Sequence, residues 1–521
     1  MEMSRSRNAT RNIVFGVILK IYQLVLPFTM RTIIMYELGV KYLGLNSLFT
    51  SILQVLNLAE LGVGSAMVFA MYKPIAQEDS KTICALMRLY KIYYRVIGLV
   101  VFAAGMMLLP FIPKLIAGDV PDDINIYVLY LLNLLATVFT YWLFAYKNSI
   151  LQANQRQDVI SKVTIVTDTC KYSLQIGALF AFHNYYYYVC VLLLSQILNN
   201  ILTALVSDKL YPQFQAKGKL PKEDVKEINQ KIKDLFTSKL GFTIVSSADT
   251  VVISAFLGLE ALAIYQNYYY IVNAVIGFVT IIYSSITAGV GNSMIVCDTE
   301  KNYHDFQIFT FLACWILAFS VSCFSGLFQP FMKLWMGTDL LLPYPLVILL
   351  CVYFWVYEYI MMASVYKDAG GIWHEDRFRP LISGLVNLSL NLLTVKFLGL
   401  YGIVLSTIVS MVVISAPWIT SNIFKLIFKR SAKEYIVKLG YYLIAAGAAT
   451  FITNIVIGFI PDSGWLWFIV KAAGCVVVSN IIIFLMMFRV QEFSDAVWLI
   501  ARMFHAEKLA RKFKISRNCE K

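Results

Sequence analysis

Charge is what this chain has least of. Asp, Glu, Lys and Arg make up 14% of its 521 residues, against about 25% in a soluble domain, too few to cover a water-facing surface. Histidine is scarcer still: His183, His304, His374 and His505 are the only four, and all fall at or beyond the ends of apolar runs. A membrane-embedded transferase needs a general base near its acceptor. Neither these histidines nor an Asp-x-Asp in a link supplies one, so no catalytic residue is assigned and an enzyme is not expected. The nine cysteines show neither metal-ligand spacing nor a secreted framework. Cys170, Cys190, Cys314, Cys323, Cys351 and Cys475 lie inside apolar runs, where cysteine packs as a small hydrophobe. Neither a metal site nor a resident cofactor is expected.

Apolar length is what the chain has in abundance. It is 59% hydrophobic, with a mean hydropathy of +0.69. About 20 apolar residues let a helix cross a bilayer, and fourteen such runs are present: 12–35, 45–71, 96–116, 125–146, 163–183, 187–206, 239–258, 264–290, 307–329, 344–366, 381–397, 402–424, 439–460 and 466–488. The run at 381–397 is short, and twelve spans is the other count. The expected fold is an all-α polytopic membrane protein of about 14 transmembrane helices. The net charge of +13 does not point to nucleic acid, because the basic residues sit in the links and not on one aromatic-studded face. With the N-terminus inside, 36 of the 44 Lys and Arg fall in or at the edge of cytoplasmic segments. Lys41, Lys114, Lys333 and Lys396 fall in the outer links, and Lys20, Arg31, Lys171 and Lys471 within spans. Such a bias orients a membrane protein, so both termini are expected in the cytoplasm of a cell whose plasma membrane holds the chain.

A short link recurs. Leu38-Gly39-Val40-Lys41-Tyr42-Leu43-Gly44-Leu45 is followed 219 residues later by Leu257-Gly258-Leu259-Glu260-Ala261-Leu262-Ala263-Ile264. Each follows one apolar run and opens another, the sign of two homologous bundles with a site between halves. The expected organisation is a six-helix bundle at 1–206, a cytoplasmic connector at 207–238 with a helix at 222–234, and a second, pseudo-symmetric six-helix bundle at 239–424. An additional helix pair at 425–488 and a basic amphipathic cytoplasmic tail at 489–521 complete it. In that tail Phe493, Val497, Ile500 and Phe504 oppose Arg502, Lys508, Arg511 and Lys512, a pattern suited to an anionic inner leaflet or to a partner helix.

Charges at membrane depth are the candidate functional residues, because each costs roughly 2.5–3.5 kcal/mol to insert. They are Lys20, Arg31, Glu60, Asp168, Lys171, Asp249 and Glu358. Lys20 and Glu60 flank the first outer link at equal separations, so a rise near 1.5 Å per residue puts them at similar depth, where they can pair. Arg31 can snorkel outward or offer its planar fork to a phosphate. Asp168 and Lys171 share a helix face at i, i+3 and can neutralise one another. Asp249 and Glu358 have no charge partner in their own spans. Membrane carboxylates of this kind suit proton or sodium coupling, and a hydrogen bond to a neighbouring helix is the alternative. Pro27 removes its own N–H from the first span and frees the carbonyl of Gln23, a hinge or a plain kink. The tyrosine clusters 185–188 and 268–270 read as interfacial belts, with sugar stacking as the alternative.

Several of these residues also fall in a recognisable pattern. Pro27-Phe28 with Arg31-Thr32, the 38–45 link with Asn46 and Phe49, and Glu60-Leu61-Gly62-Val63-Gly64-Ser65-Ala66 together resemble the polysaccharide transporter (Wzx-like; O-antigen, capsule or exopolysaccharide) flippases. These form a branch of the multidrug/oligosaccharidyl-lipid/polysaccharide (MOP, MATE-like) flippase superfamily. Tyr72-Lys73-Pro74, Ala288-Gly289-Val290-Gly291-Asn292 and Leu334-Trp335-Met336-Gly337 extend the likeness through the twelfth run. The resemblance implies a flippase that moves an undecaprenyl-diphosphate-linked oligosaccharide between leaflets by alternating access, driven by a proton or sodium gradient. A multidrug antiporter or a lipid-II-type flippase of the same fold is the alternative. It makes Arg31, Lys20 and Lys171 candidate substrate contacts and Asp249, Glu60 and Glu358 candidate coupling groups. Membrane lipids, a polysaccharide polymerase and glycosyltransferases are the implied partners.

Overall fold

The computed structural model describes residues 2–60 and 62–503, and among them every regular element is helical. Helices satisfy their own backbone groups, the condition for crossing lipid. The chain divides into two compact units, Met1–Gln266 and Asn267–Lys521.

The first unit holds α1 (Glu2–Glu37), α2 (Val40–Leu56), α3 (Val63–Ala76), α4 (Ser80–Leu108), α5 (Ile126–Trp142), α6 (Asn148–Ala153), α7 (Gln157–Phe182), α8 (Tyr185–Leu210) and the start of α9 (Lys222–Val296). The connector helix expected at 222–234 is the first part of α9, which runs on to the kink at Gly258. Asp79 starts α4 by accepting the Thr82 N–H (3.1 Å) and hydroxyl (2.6 Å), which holds its carboxyl below the usual carboxylate range. Asn125 caps α5 through the N–H groups of Tyr127 and Val128.

Both copies of the repeated link break a helix at glycine. Gly39 (φ 108°) separates α1 from α2, and Gly258 (φ 89°) kinks α9. Positive φ of this kind is open to glycine and strained for L side chains. The two links also touch: a Cβ added to Gly44 would lie 2.2 Å from the carbonyl oxygen of Leu259. Glycine is thus required at Gly44 for close backbone approach.

The second unit contains α10 (Thr299–Met336), α11 (Tyr344–Ala369), α12 (Trp373–Asp376), α13 (Arg379–Leu398), α14 (Leu400–Ser410), α15 (Ala416–Asn422), α16 (Lys433–Gly458), α17 (Gly464–Met487) and α18 (Gln491–Met503). Its core includes an aromatic cluster in which Phe306 meets Tyr366 (4.8 Å), Phe428 (5.0 Å) and Tyr435 (5.0 Å). Other large apolar side chains point away from protein altogether. Phe397 is 86% and Phe459 84% exposed, an arrangement that lipid contact explains and water does not.

The amphipathic tail differs from expectation. Phe493 packs on Phe311 (6.3 Å), Trp315 (6.1 Å) and Phe484 (5.6 Å), and Ala496 is buried. Lys438 pairs with Glu492, and His304 Nε2 lies 3.2 Å from Asp495. Part of the apolar face expected on a leaflet is therefore taken by α10 and α17. Phe504, Lys508, Arg511 and Lys512 lie outside the described residues.

Ten helices among the described residues are long and apolar enough to cross a membrane, or eleven if the bent pair α5–α6 is one span. Each of the fourteen apolar runs nevertheless overlaps helical segments among the described residues, and three local features account for the difference. Run 45–71 is interrupted between α2 and α3. Asp168, Lys171 and Gln175 dilute the run on α7. The runs 239–258 and 264–290 follow one another across the Gly258 kink of α9 and are counted together as one span.

Candidate functional site

The interruption between α2 and α3 builds the most developed polar site in the first unit. α2 ends at Leu56, a 3-10 turn covers Asn57–Glu60, and Gly62 (φ 90°) precedes α3. The turn sets Glu60 between α4 and α5. Tyr94 of α4 donates to Glu60 Oε1 (2.6 Å) and itself accepts from Tyr90 (2.6 Å). Tyr141 of α5 lies 3.0 Å from Glu60 Oε2 and 2.9 Å from Asn57 Oδ1. The rings of Tyr94 and Tyr141 meet edge to face at 5.5 Å, which holds both hydroxyls toward the carboxylate.

Glu60 borders two cavities. One of about 330 Å³ is lined by Tyr90, Tyr94, Asn148, Gln152, Thr164 and Asn199 among others, and the second, of about 310 Å³, by Gln54, Asn57 and Thr243. Their walls are rich in hydroxyls and carboxamides, and Glu60 is the only carboxylate among the lining residues. Asn148 Oδ1 is buried there without a hydrogen-bond partner. A carboxylate served by neutral donors keeps an uncompensated charge, which favours a cation beside it. The cavity therefore has the chemistry to admit a proton or a small cation.

The pairing of Lys20 with Glu60 does not occur. Lys20 lies on an exposed face of α1, and Glu60 takes tyrosine hydroxyls instead. Equal depth in an antiparallel pair sets height and not direction around the helix axis. Lys171 is tied to Asp168 at 2.6 Å and lies 4.1 Å from the Tyr172 ring, so the expected neutralisation at i, i+3 is present. Arg31 is half-buried on α1, close enough to Tyr188 to interact electrostatically. α1 runs through Pro27 without a break, and the hydroxyls of Thr29 and Thr32 bond the carbonyls of Val25 and Phe28 nearby. Asp249 is half-buried on α9, next to Thr250, which accepts from Gln266 (2.8 Å).

In the second unit, Glu358 of α11 is fully buried at 0% exposure. The Tyr283 hydroxyl is its polar neighbour, near enough to interact with the carboxyl group. The tyrosine clusters divide between two roles. Tyr185 and Tyr188 are buried and stacked at 5.3 Å, while Tyr187 is exposed against Phe182 at 4.5 Å.

A family profile described as "Polysaccharide biosynthesis protein" matches residues 9–287, more than half of the sequence. The chain belongs to this family. Its fold is also that of known MOP-superfamily transporters. The structure of the lipid II flippase MurJ in an inward closed conformation aligns with a TM-score of 0.63 at 15% identity, covering 91% of this chain and 99% of that one. An inward-facing multidrug resistance MATE family transporter aligns with a TM-score of 0.60 at 17% identity, covering 78% and 98%. A variant of the Vibrio cholerae MATE transporter VcmN aligns at 0.55 and 14% identity, covering 82% and 100%. No curated protein matches the chain. Family and fold make this polysaccharide biosynthesis protein a multi-pass membrane protein with a transporter-like fold.

In this family member, sequence reasoning singled out Glu60 but not the residues that hold it. Tyr90 and Tyr94 stand four residues apart on α4, and Asn199 and Asn200 interrupt the apolar run of α8. Neutral polar residues within a span were the available signal, and attention to formal charge passed over them.

Proposed function

We propose that this protein is a flippase that moves an undecaprenyl-diphosphate-linked oligosaccharide across the cytoplasmic membrane for cell-surface polysaccharide synthesis. It does so by alternating access, drawing on a proton or sodium gradient. Membership of the polysaccharide biosynthesis family supports the pathway, and a fold shared with a lipid II flippase supports a lipid-linked cargo. The observation that carries the coupling is Glu60, a carboxylate held by tyrosine hydroxyls at the border of two polar cavities. Glu358 and Asp249 are the further coupling candidates. Arg31, Lys20 and Lys171 are the candidate contacts for the diphosphate, Arg31 through its planar fork, while Lys171 shares its charge with Asp168. Pro27, between Lys20 and Arg31, is the proposed hinge. Both termini face the cytoplasm, where glycosyltransferases would load the lipid, and a polymerase would receive it on the other side.

Leaflet accessibility of lipid-linked oligosaccharide in proteoliposomes, with and without an imposed gradient, tests this reading. Gradient-driven movement is expected, reduced to the no-gradient level in Glu60→Gln. Absence of glycolipid movement together with efflux of a cationic dye would transfer the fold to drug antiport.

A further inference from the structure

The geometry around Glu60 assigns a role to Tyr141 that nothing above requires. Its hydroxyl has one proton and two acceptors at nearly equal distance, Glu60 Oε2 at 3.0 Å and Asn57 Oδ1 at 2.9 Å. Those acceptors stand at opposite ends of the same 3-10 turn, the turn that interrupts the second span. We propose that Tyr141 is a positioning residue whose hydroxyl reports the protonation of Glu60 to this break by changing acceptor. The proposal rests on Glu60 being the coupling carboxylate.

With Glu60 ionised, its two oxygens accept from Tyr94 and Tyr141, since a hydrogen bond to a charged acceptor is about twice as strong as one between neutral groups. A proton entering from the cavity forms an O–H bond at Oε2. That hydroxyl is now a donor, and the oxygen of Tyr141 is in place to accept it. Tyr141 then turns its own proton to Asn57 Oδ1, giving the chain Glu60 to Tyr141 to Asn57 with every donor used once. Only the arriving proton is added. The carboxamide of Asn57 gains a bond in one state and lacks it in the other, so the turn has two hydrogen-bonded arrangements of the kind a conformational switch needs. Tyr94 cannot serve the same purpose, because its oxygen already accepts from Tyr90 and its proton has Glu60 as its acceptor.

The ionisable groups facing Glu60 are Tyr90 and Tyr94 from α4 and Tyr141 from α5. From α3, α6, α7, α8 and α9 the cavity walls present Ser65, Asn148, Thr164, Asn199 and Thr243. None of those five ionises, so pH dependence in the turn is attributable to Glu60.

Hydrogen exchange of the full-length protein in lipid nanodiscs tests the switch. It is measured on peptides spanning 54–66 at pH 3.5 and pH 8, on either side of the ordinary carboxyl range, corrected for intrinsic rates. The wild type is expected to show about a fivefold difference in protection between the two conditions, the effect of one net hydrogen bond. Glu60→Gln should show no difference. Tyr141→Phe keeps the ring and should also show none, as should Asn57→Ala, which removes the second acceptor and leaves the ring untouched. A merely structural Tyr141 would lower overall protection and leave the pH difference intact, and that result in Tyr141→Phe would overturn the proposal. A pH-dependent turn without gradient-driven transport would instead reject the coupling role of Glu60 and leave the switch standing.

Discussion

At the scale of single residues, the site is a charge in an environment of neutral donors. Glu60 was legible because a carboxylate in an apolar run is rare; its partners were not, because they lie 34 and 81 residues away in sequence. Hydrogen bonds to charged groups contribute about 1.5–3 kcal/mol. Tyr94→Phe removes one of them and leaves the Tyr90 hydroxyl without its acceptor, so unfolding in detergent should be easier by an amount within that range. An unchanged unfolding free energy would mean that water replaces the phenol. Gly44 is a second residue whose role is steric. Gly44→Ala sets a methyl against the Leu259 carbonyl, and overpacking of this kind costs about 1–3 kcal/mol. A lower thermal midpoint is expected, and an unaltered one would show that the two links part readily.

At the scale of elements, breaks and caps decide where side chains point. The helix ends at Gly39 and Gly258 were visible as a repeated Leu-Gly link, whereas the 3-10 turn at Asn57–Glu60 has no Pro within it to announce it. The start of α4 offers a pH test outside the spans. Asp79 has its carboxyl lowered by bonds from Thr82, so the capping contribution is complete above the ordinary carboxylate pKa of about 3.9 and is lost as pH falls through the lower folded value. Exchange of the first turn of α4, corrected for intrinsic rates, should rise on acidification in the wild type. It should not in Asp79→Asn, which caps without titrating. The tail helix α18 makes a separate prediction. Phe493→Ala strips the ring that sits on Phe311, Trp315 and Phe484, and protease cleavage within 491–503 should increase. Equal cleavage in variant and wild type would return this helix to the leaflet.

At the scale of the whole molecule, the number of passes fixes the topology. Hydropathy over complete helices counts ten or eleven spans, but fourteen apolar runs fall on helical segments. An even number would put both termini on one side, and the proposed side, from the Lys and Arg distribution, is the cytoplasm. Labelling of single cysteines placed near each terminus, in intact and permeabilised cells, should find both protected until the membrane is opened. Opposite accessibility of the two ends would reject fourteen passes.

The sequence by itself determined the all-helical membrane class, the apolar runs and the resemblance that the family match confirms. These are properties of composition and local periodicity, which lipid enforces on every segment separately. Tertiary structure alone decided the partners: that Glu60 meets Tyr94 and Tyr141 and not Lys20, that Asn57 shares the Tyr141 hydroxyl, that Gly44 lies against Leu259, and that α18 folds back onto α10 and α17. Each of those depends on the rotation of one helix about its axis relative to another. Depth along a span can be counted in residues, but rotation is set only when the helices pack.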